Sequence, residues 1–212
     1  MSVTVADELK ARTFLVEYAI DRAPFSRRLP DEILAMGGFG CRQVLELLNR
    51  LCDGITLDPP ASYLEFGAYL GRSLLAAAWH NRGAFIGLED FRQRHQLGGD
   101  PVALADNLRR GRELGADAAV LEHDWRRYRP ATDVSVFFYD AEHSADATAA
   151  AVVHIAPFLA HPSVLVVDDL EVMGVYPGLV RGLDEARLAP RAQWELRKAD
   201  GWHEGLYVGV LP

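Results

Sequence analysis

The stretch Tyr63-Leu64-Glu65-Phe66-Gly67-Ala68-Tyr69-Leu70-Gly71-Arg72-Ser73 decides the fold. A short apolar run ends in two glycines four residues apart, and a helical pattern follows from Arg72 to Asn81. This is the signature of a buried strand turning into a helix, because glycine lets the backbone turn tightly and approach a ligand without a side chain in the way. Ser73 is expected to cap the helix, whose N-terminus offers free N–H groups. Glu65 is the anomaly. A carboxylate near the end of a buried strand is costly unless it meets a partner, so the turn is expected to hold a ligand with a cationic group. A dinucleotide would place pyrophosphate here and favour a three-glycine pattern, which is absent.

Working outward, the same alternation repeats. Strands are expected at Ser62–Phe66, Ala84–Leu88, Ala118–Leu121, Val134–Tyr139 and Ser163–Val167, with helices at Arg72–Asn81, Pro101–Leu114, Ala145–Leu159 and Pro177–Ala186. Short, largely apolar strands separated by helices predict a parallel sheet covered on both faces, wound by right-handed crossovers. The end breaks the rule. Gln193–Lys198 and Leu206–Leu211 are strand-like, and the residues between them cannot make a crossover helix, so an antiparallel hairpin is expected. The fold class is therefore α/β: a doubly wound, mostly parallel seven-stranded sheet ending in an antiparallel hairpin. Before it come helical patterns around Ala11–Ile20, from Asp31 to Gly37-Gly38, and along Cys41–Leu51, closed by Asp58-Pro59-Pro60. The expected organisation is a helical cap over residues 1–58 and a Rossmann-like unit over 59–212.

Composition narrows the classes of function. The 212 residues are half hydrophobic, which suits one domain with a buried core. A net charge of -8 lacks the basic footprint of nucleic-acid binding. No apolar run reaches the ~20 residues of a membrane span, and the start does not read as a signal peptide. Cys41 and Cys52 fit no zinc spacing and read as small side chains in a reducing compartment. The expectation is a soluble cytoplasmic protein with a small-molecule partner and no nucleic-acid or membrane partner.

In such a sheet ligands bind beyond the carboxyl ends of the strands, where strand order reverses. The second strand ends Leu88-Glu89-Asp90, and an acid there suits two ribose hydroxyls; Glu89 is the first choice and Asp90 the reserve. The third ends Glu122-His123-Asp124-Trp125, where Asp124 could accept an adenine amino group with His123 or Trp125 beside the ring. The fourth ends Tyr139-Asp140-Ala141-Glu142-His143-Ser144 and the fifth Val167-Asp168-Asp169. Asp140, Asp168 and Asp169 should converge at one edge, repel one another and resist ionisation unless a divalent cation joins them. Oxygen ligation points to Mg²⁺ or Ca²⁺. His143, with an expected near-neutral pKa, is the candidate general base, with Glu142 as a second. The other histidines, His203 among them, are expected to lie off this edge.

The runs YLEFGAYLGRSL, FIGLEDF, VLEHDW, FYDAEHS and VLVVDDL, in this order, resemble small bacterial class I O-methyltransferases that depend on S-adenosylmethionine, a group that includes relatives of macrolide sugar O-methyltransferases. The resemblance covers Ser62 to Glu171. It implies that Glu65, Gly67, Gly71, Ser73, Glu89, Asp124 and Asp140 contact S-adenosylmethionine. It also implies that Asp140, Asp168 and Asp169 hold Mg²⁺, and that His143 and Asp140 act on the hydroxyl of a sugar, natural product or catechol-like acceptor. The family's third acid often follows a glycine, where this chain has His123. The alternatives are a metal-independent methyltransferase, a non-catalytic S-adenosylmethionine-binding module and a nucleotide-dependent oxidoreductase. Little chain is left for a dedicated lid, so the N-terminal helices are expected to cover the site or to form a homodimer.

Overall fold

A computed structural model describes residues 4–54, 62–91 and 100–212. Seven strands form one sheet: β1 (Ser62–Phe66), β2 (Ala84–Glu89), β3 (Ala119–Glu122), β4 (Val134–Tyr139), β5 (Leu159–Asp168), β6 (Ala192–Leu196) and β7 (Leu206–Leu211). Their order is β3-β2-β1-β4-β5-β7-β6, and β7 runs antiparallel to both of its neighbours. The expected doubly wound sheet with a terminal hairpin is thus the observed one. The Asp58-Pro59-Pro60 closure, and with it the proposed domain boundary, falls outside the described residues.

The helices are α1 (Val5–Arg22), α2 (Asp31–Leu34), α3 (Arg42–Gly54), α4 (Arg72–Ala78), α5 (Pro101–Glu113), α6 (Ala145–Ile155) and α7 (Val175–Glu185). Side chains on a strand alternate between faces, and here the alternation sorts them into two apolar layers. Tyr63, Val136, Phe138, Val164 and Val166 pack with α1, α3 and α4. Leu64, Phe66, Phe137, Tyr139, Leu165 and Val167 pack with α6 and α7. Each fully buried Leu, Val or Phe contributes roughly 1.5–3 kcal/mol, so the central strands are the most heavily stabilised part of the sheet. The N-terminal helices share the core of one sheet face, with Val16, Val44 and Leu48 against it. Among the described residues no helix is long and apolar enough to cross a membrane.

Some element ends differ from expectation. α4 stops at Ala78 because Asn81 turns back to donate to the carbonyls of Ala77 and Asn49. β5 begins at Leu159 and carries a cis His161–Pro162 bond. Ser144 caps α6 by accepting from Ala147 N–H, which fixes where the loop after β4 must end.

Candidate functional site

Strand order reverses between β1 and β4, the neighbours at the centre of the sheet. Beyond their carboxyl ends lies a cavity of about 470 Å³. The ladder continues past the strand ends and gathers the loops. Gly67 and Ala68 N–H donate to Leu88 O, Asp140 N–H to Phe66 O, and His123 N–H to Glu89 O.

Gly67 has φ +90°, and a Cβ there would lie 2.0 Å from the Asp140 carbonyl oxygen. Only glycine lets the β1 and β4 loops meet this closely. Gly71, φ +79°, stands at the N-cap of α4 and makes no side-chain cap. Ser73 does not cap α4 as expected. It sits inside the helix, and its hydroxyl donates to Glu65 Oε1 at 2.5 Å. The other Glu65 oxygen accepts from Tyr63 OH at 2.7 Å. Glu65 is fully buried beneath the cavity. Burial raises it to about 8, against the downward pull of Ser73 and Tyr63, and the charges of Asp140 and Glu89 push the same way as burial.

Glu89 lines the cavity. Its Oε2 accepts from Tyr69 N–H at 2.7 Å, and its Oε1 accepts from Asp90 and Phe91 N–H, both at 3.0 Å. Asp90, Phe91, His123 and Trp125 line the same end. Asp124 does not. Its carboxylate accepts from Arg126 N–H and caps the short 3₁₀ turn that aims Trp125 inward, so the structure places it as a support of the wall.

At the opposite edge Tyr139 pairs with Val167, which sets Asp140 beside the Asp168-Asp169 tip. Asp140, His143 and Asp169 bring one ligand atom each within 4.8 Å of one another, a group that could hold a metal ion. His143 Nε2 is 2.9 Å from Asp169 Oδ2 and 3.7 Å from Asp140 Oδ1. Asp168 is not part of this group. It is buried, and its Oδ1 accepts from Asp169 N–H. Burial and the nearby acids hold Asp168 well above the ordinary carboxylate range. Asp140 is raised as well, by burial first and by Asp169 in addition, although His143 opposes this. Asp169 goes the other way: burial pushes it up, but His143 and His203 outweigh that and hold it below the ordinary range.

Three sequence expectations change here. His143 is not near neutral: the two facing carboxylates raise it to about 10. Glu142 is not placed as a base, because its Oε1 accepts from Ser144 OH and its Oε2 from Arg126, both at 2.9 Å. His203 belongs to the edge, with Nδ1 3.5 Å from Asp169 Oδ1. The signal for His203 was present. A hairpin whose first strand is parallel to the sheet returns at the carboxyl edge, and Leu170 and Glu171 N–H zip onto the carbonyls of Gly205 and Glu204.

Gly38, Phe39, Arg72 and Arg126 also line the cavity and were missed; the glycine-rich Gly37-Gly38-Phe39-Gly40 run was the only hint. Four lining residues other than glycine, Tyr69, Phe91, Asp169 and His203, have φ between +48° and +54°. That conformation costs about 1–2 kcal/mol each, and such strain concentrates at functional sites.

A mostly parallel seven-stranded sheet closed by an antiparallel hairpin is the Rossmann-like fold that class I methyltransferases adopt. No family model and no curated protein sequence matches the chain. Solved structures do. An O-methyltransferase from Bacillus cereus in complex with S-adenosylhomocysteine superposes with a TM-score of 0.57 at 15% identity, covering 93% of this chain and 90% of that one. A Podospora anserina methyltransferase bound to S-adenosylhomocysteine gives 0.55 at 15% identity over 92% and 86%. The calicheamicin methyltransferase CalS11 gives 0.53 at 18% identity over 99% and 94%.

Proposed function

We propose that this chain is an S-adenosylmethionine-dependent methyltransferase that methylates a hydroxyl of a small molecule. The observation that carries the reading is the packing of Gly67 against Asp140. It sets a donor cradle, with Glu65 beneath and Glu89 alongside, directly beside the Asp140–His143–Asp169 edge. In this reading the methionine ammonium sits toward Glu65 and Ser73, a buried acid otherwise lacking a cationic partner among the described residues. The ribose hydroxyls face Glu89, and the adenine lies toward Phe91, His123 and Trp125.

The acceptor oxygen faces Asp140 and His143. A carboxylate raised by burial is a better base than an ordinary one, so Asp140 takes the hydroxyl proton. Imidazolium at His143 stabilises the developing negative oxygen. As the new O–C bond forms, the C–S bond breaks in line and S-adenosylhomocysteine leaves. Alignment of donor and acceptor supplies much of the acceleration, up to ~7–11 kcal/mol.

The same edge fits a divalent cation as an alternative state, in which His143 is neutral and Asp140 is a ligand instead of the proton acceptor. His143 Nε2 and Asp169 Oδ1 are buried atoms of this group, facing Asp169 Oδ2 at 2.9 Å and His203 Nδ1 at 3.5 Å. Asp140, His143 and Asp169 would hold the ion, and when bound it supplies Lewis-acid polarisation of the acceptor oxygen. One nitrogen in the donor set favours a first-row transition ion over the Mg²⁺ expected from oxygens alone.

The test is calorimetric titration with S-adenosylmethionine and S-adenosylhomocysteine, followed by methyl-transfer assays on a hydroxyl-bearing panel with and without chelator. Absence of binding to either ligand refutes the reading. Binding without transfer to any acceptor favours the non-catalytic module.

A further inference from the structure

The loop between α2 and α3 reads Gly37-Gly38-Phe39-Gly40, and Gly38 and Phe39 line the cavity from the N-terminal helices. Its conformation is one that only glycine adopts readily, with φ +145° at Gly38 and +100° at Gly40. Two contacts hold it. Arg72, in the first turn of α4, donates from Nη2 to Gly40 O at 2.7 Å. The Phe39 ring stacks on Tyr69, with centroids 5.1 Å apart and planes 23° apart. Tyr69 is itself held left-handed by donating its N–H to Glu89. A continuous chain of contacts therefore runs from Glu89 through Tyr69 to Phe39. Phe39 nevertheless remains 61% exposed, a large apolar ring at the mouth of a cavity with solvent on its outer face.

We propose that residues 37–40 form a strap that retains the cofactor, with Phe39 as the contacting residue and Arg72 as a positioning residue that acts through Gly40. The inference rests on the S-adenosylmethionine reading of the site. A cofactor whose ribose engages Glu89 stiffens Tyr69, and Tyr69 holds Phe39 over the donor. The bound cofactor thus holds the strap more firmly in the conformation that Arg72 and Tyr69 already give it.

The experiment measures release of radiolabelled S-adenosylhomocysteine by rapid filtration from the wild type and from Phe39→Ala, Gly40→Ala, Arg72→Ala and Arg72→Lys. Loss of one aromatic stack is expected to speed release about 3- to 10-fold in Phe39→Ala. Gly40→Ala is expected to act in the same direction through the backbone alone, because a Cβ there meets nothing within 4 Å. Arg72→Lys should fall between the wild type and Arg72→Ala, since lysine keeps a donor for Gly40 but loses the fork. A second readout is thiol labelling of Cys41, which follows the strap and is partly exposed, whereas Cys52 is buried. S-adenosylhomocysteine is expected to slow Cys41 labelling in the wild type and to slow it less in Phe39→Ala. Wild-type release rates in Phe39→Ala and Gly40→Ala overturn the strap, as does Cys41 labelling that the ligand leaves unchanged. A wild type that binds no S-adenosylhomocysteine overturns the methyltransferase reading itself, so the two failures are distinguishable.

Discussion

The backbone of Gly67 lies against that of Asp140 so closely that a Cβ on Gly67 would stand 2.6 Å from the Asp140 carbonyl carbon and 2.9 Å from Ala141 Cα. The loops after β1 and β4 are thus one packed unit. Gly67→Ala must push the two loops apart and also occupy φ +90°. The expected result is a loss of at least ~2 kcal/mol of stability together with loss of cofactor binding. Urea unfolding and calorimetric titration check it; an alanine variant that binds like the wild type would contradict the packing.

Glu65 predicts a pH dependence. Its pKa is raised from an ordinary value near 4.5 to about 8 in the folded protein. The folded state therefore keeps a proton that the unfolded chain gives up. Stability contributed by this group is fully present below pH 4.5, falls as pH rises to about 8, and is level beyond. The span amounts to roughly 3–5 kcal/mol. Glu65→Gln should lack this fall in urea unfolding across the window. A cationic ligand reverses the preference, so S-adenosylmethionine binding near pH 7 should release a proton. Calorimetry in two buffers of different ionisation enthalpy measures that release.

His143 adds a separate window. Its pKa is raised to about 10 by Asp140 and Asp169, so its contribution to stability is intact below about 6.5 and is lost as pH climbs through 10. His143→Gln should be flat over that range in the chelated protein. Added Mn²⁺ or Zn²⁺ should raise the unfolding temperature more than Mg²⁺ does, and His143→Gln should erase that ranking. Equal shifts for Mg²⁺ and Mn²⁺ in the wild type would argue against the imidazole as a ligand.

Glu89 and Asp124 should separate cleanly. Glu89→Gln leaves one acceptor oxygen where Tyr69, Asp90 and Phe91 N–H and the ribose compete. Losing one charged hydrogen bond, worth about 1.5–3 kcal/mol, predicts a roughly 10- to 100-fold weaker cofactor. Asp124→Ser keeps the cap on the Trp125 turn and should leave the affinity within about threefold, because the Asp124 carboxylate does not line the cavity. A large loss in Asp124→Ser would restore the adenine contact that the sequence suggested.

His203 is expected to matter for turnover. It approaches Asp169 Oδ1, whereas His143 faces Oδ2. His203→Ala should lower kcat by about tenfold, within the range for a charged partner, with a smaller change in cofactor affinity. Steady-state kinetics with each substrate varied in turn separates the two.

The sequence by itself determined the sheet, its hairpin and the acidic tips. Val134–Tyr139 is apolar at every position but Ser135, and a strand buried on both faces reads that way; every residue of β4 is indeed buried. Gly67 and Glu65 were legible for a related reason: glycine and a carboxylate at the end of such a run are both costly without a purpose. What only the tertiary structure decided is how side chains from distant segments face one another. The sequence cannot show that Ser73 turns to Glu65 and not to its own helix, or that Asp124 spends its carboxylate on a cap. Nor does it show that His143 stands between two acids and becomes basic, or that His203 and Phe39 arrive from opposite ends of the chain. Periodicity is a local property and survives in the sequence. Hydrogen-bond direction, desolvation and charge proximity depend on three-dimensional distances, which exist only once the chain has folded.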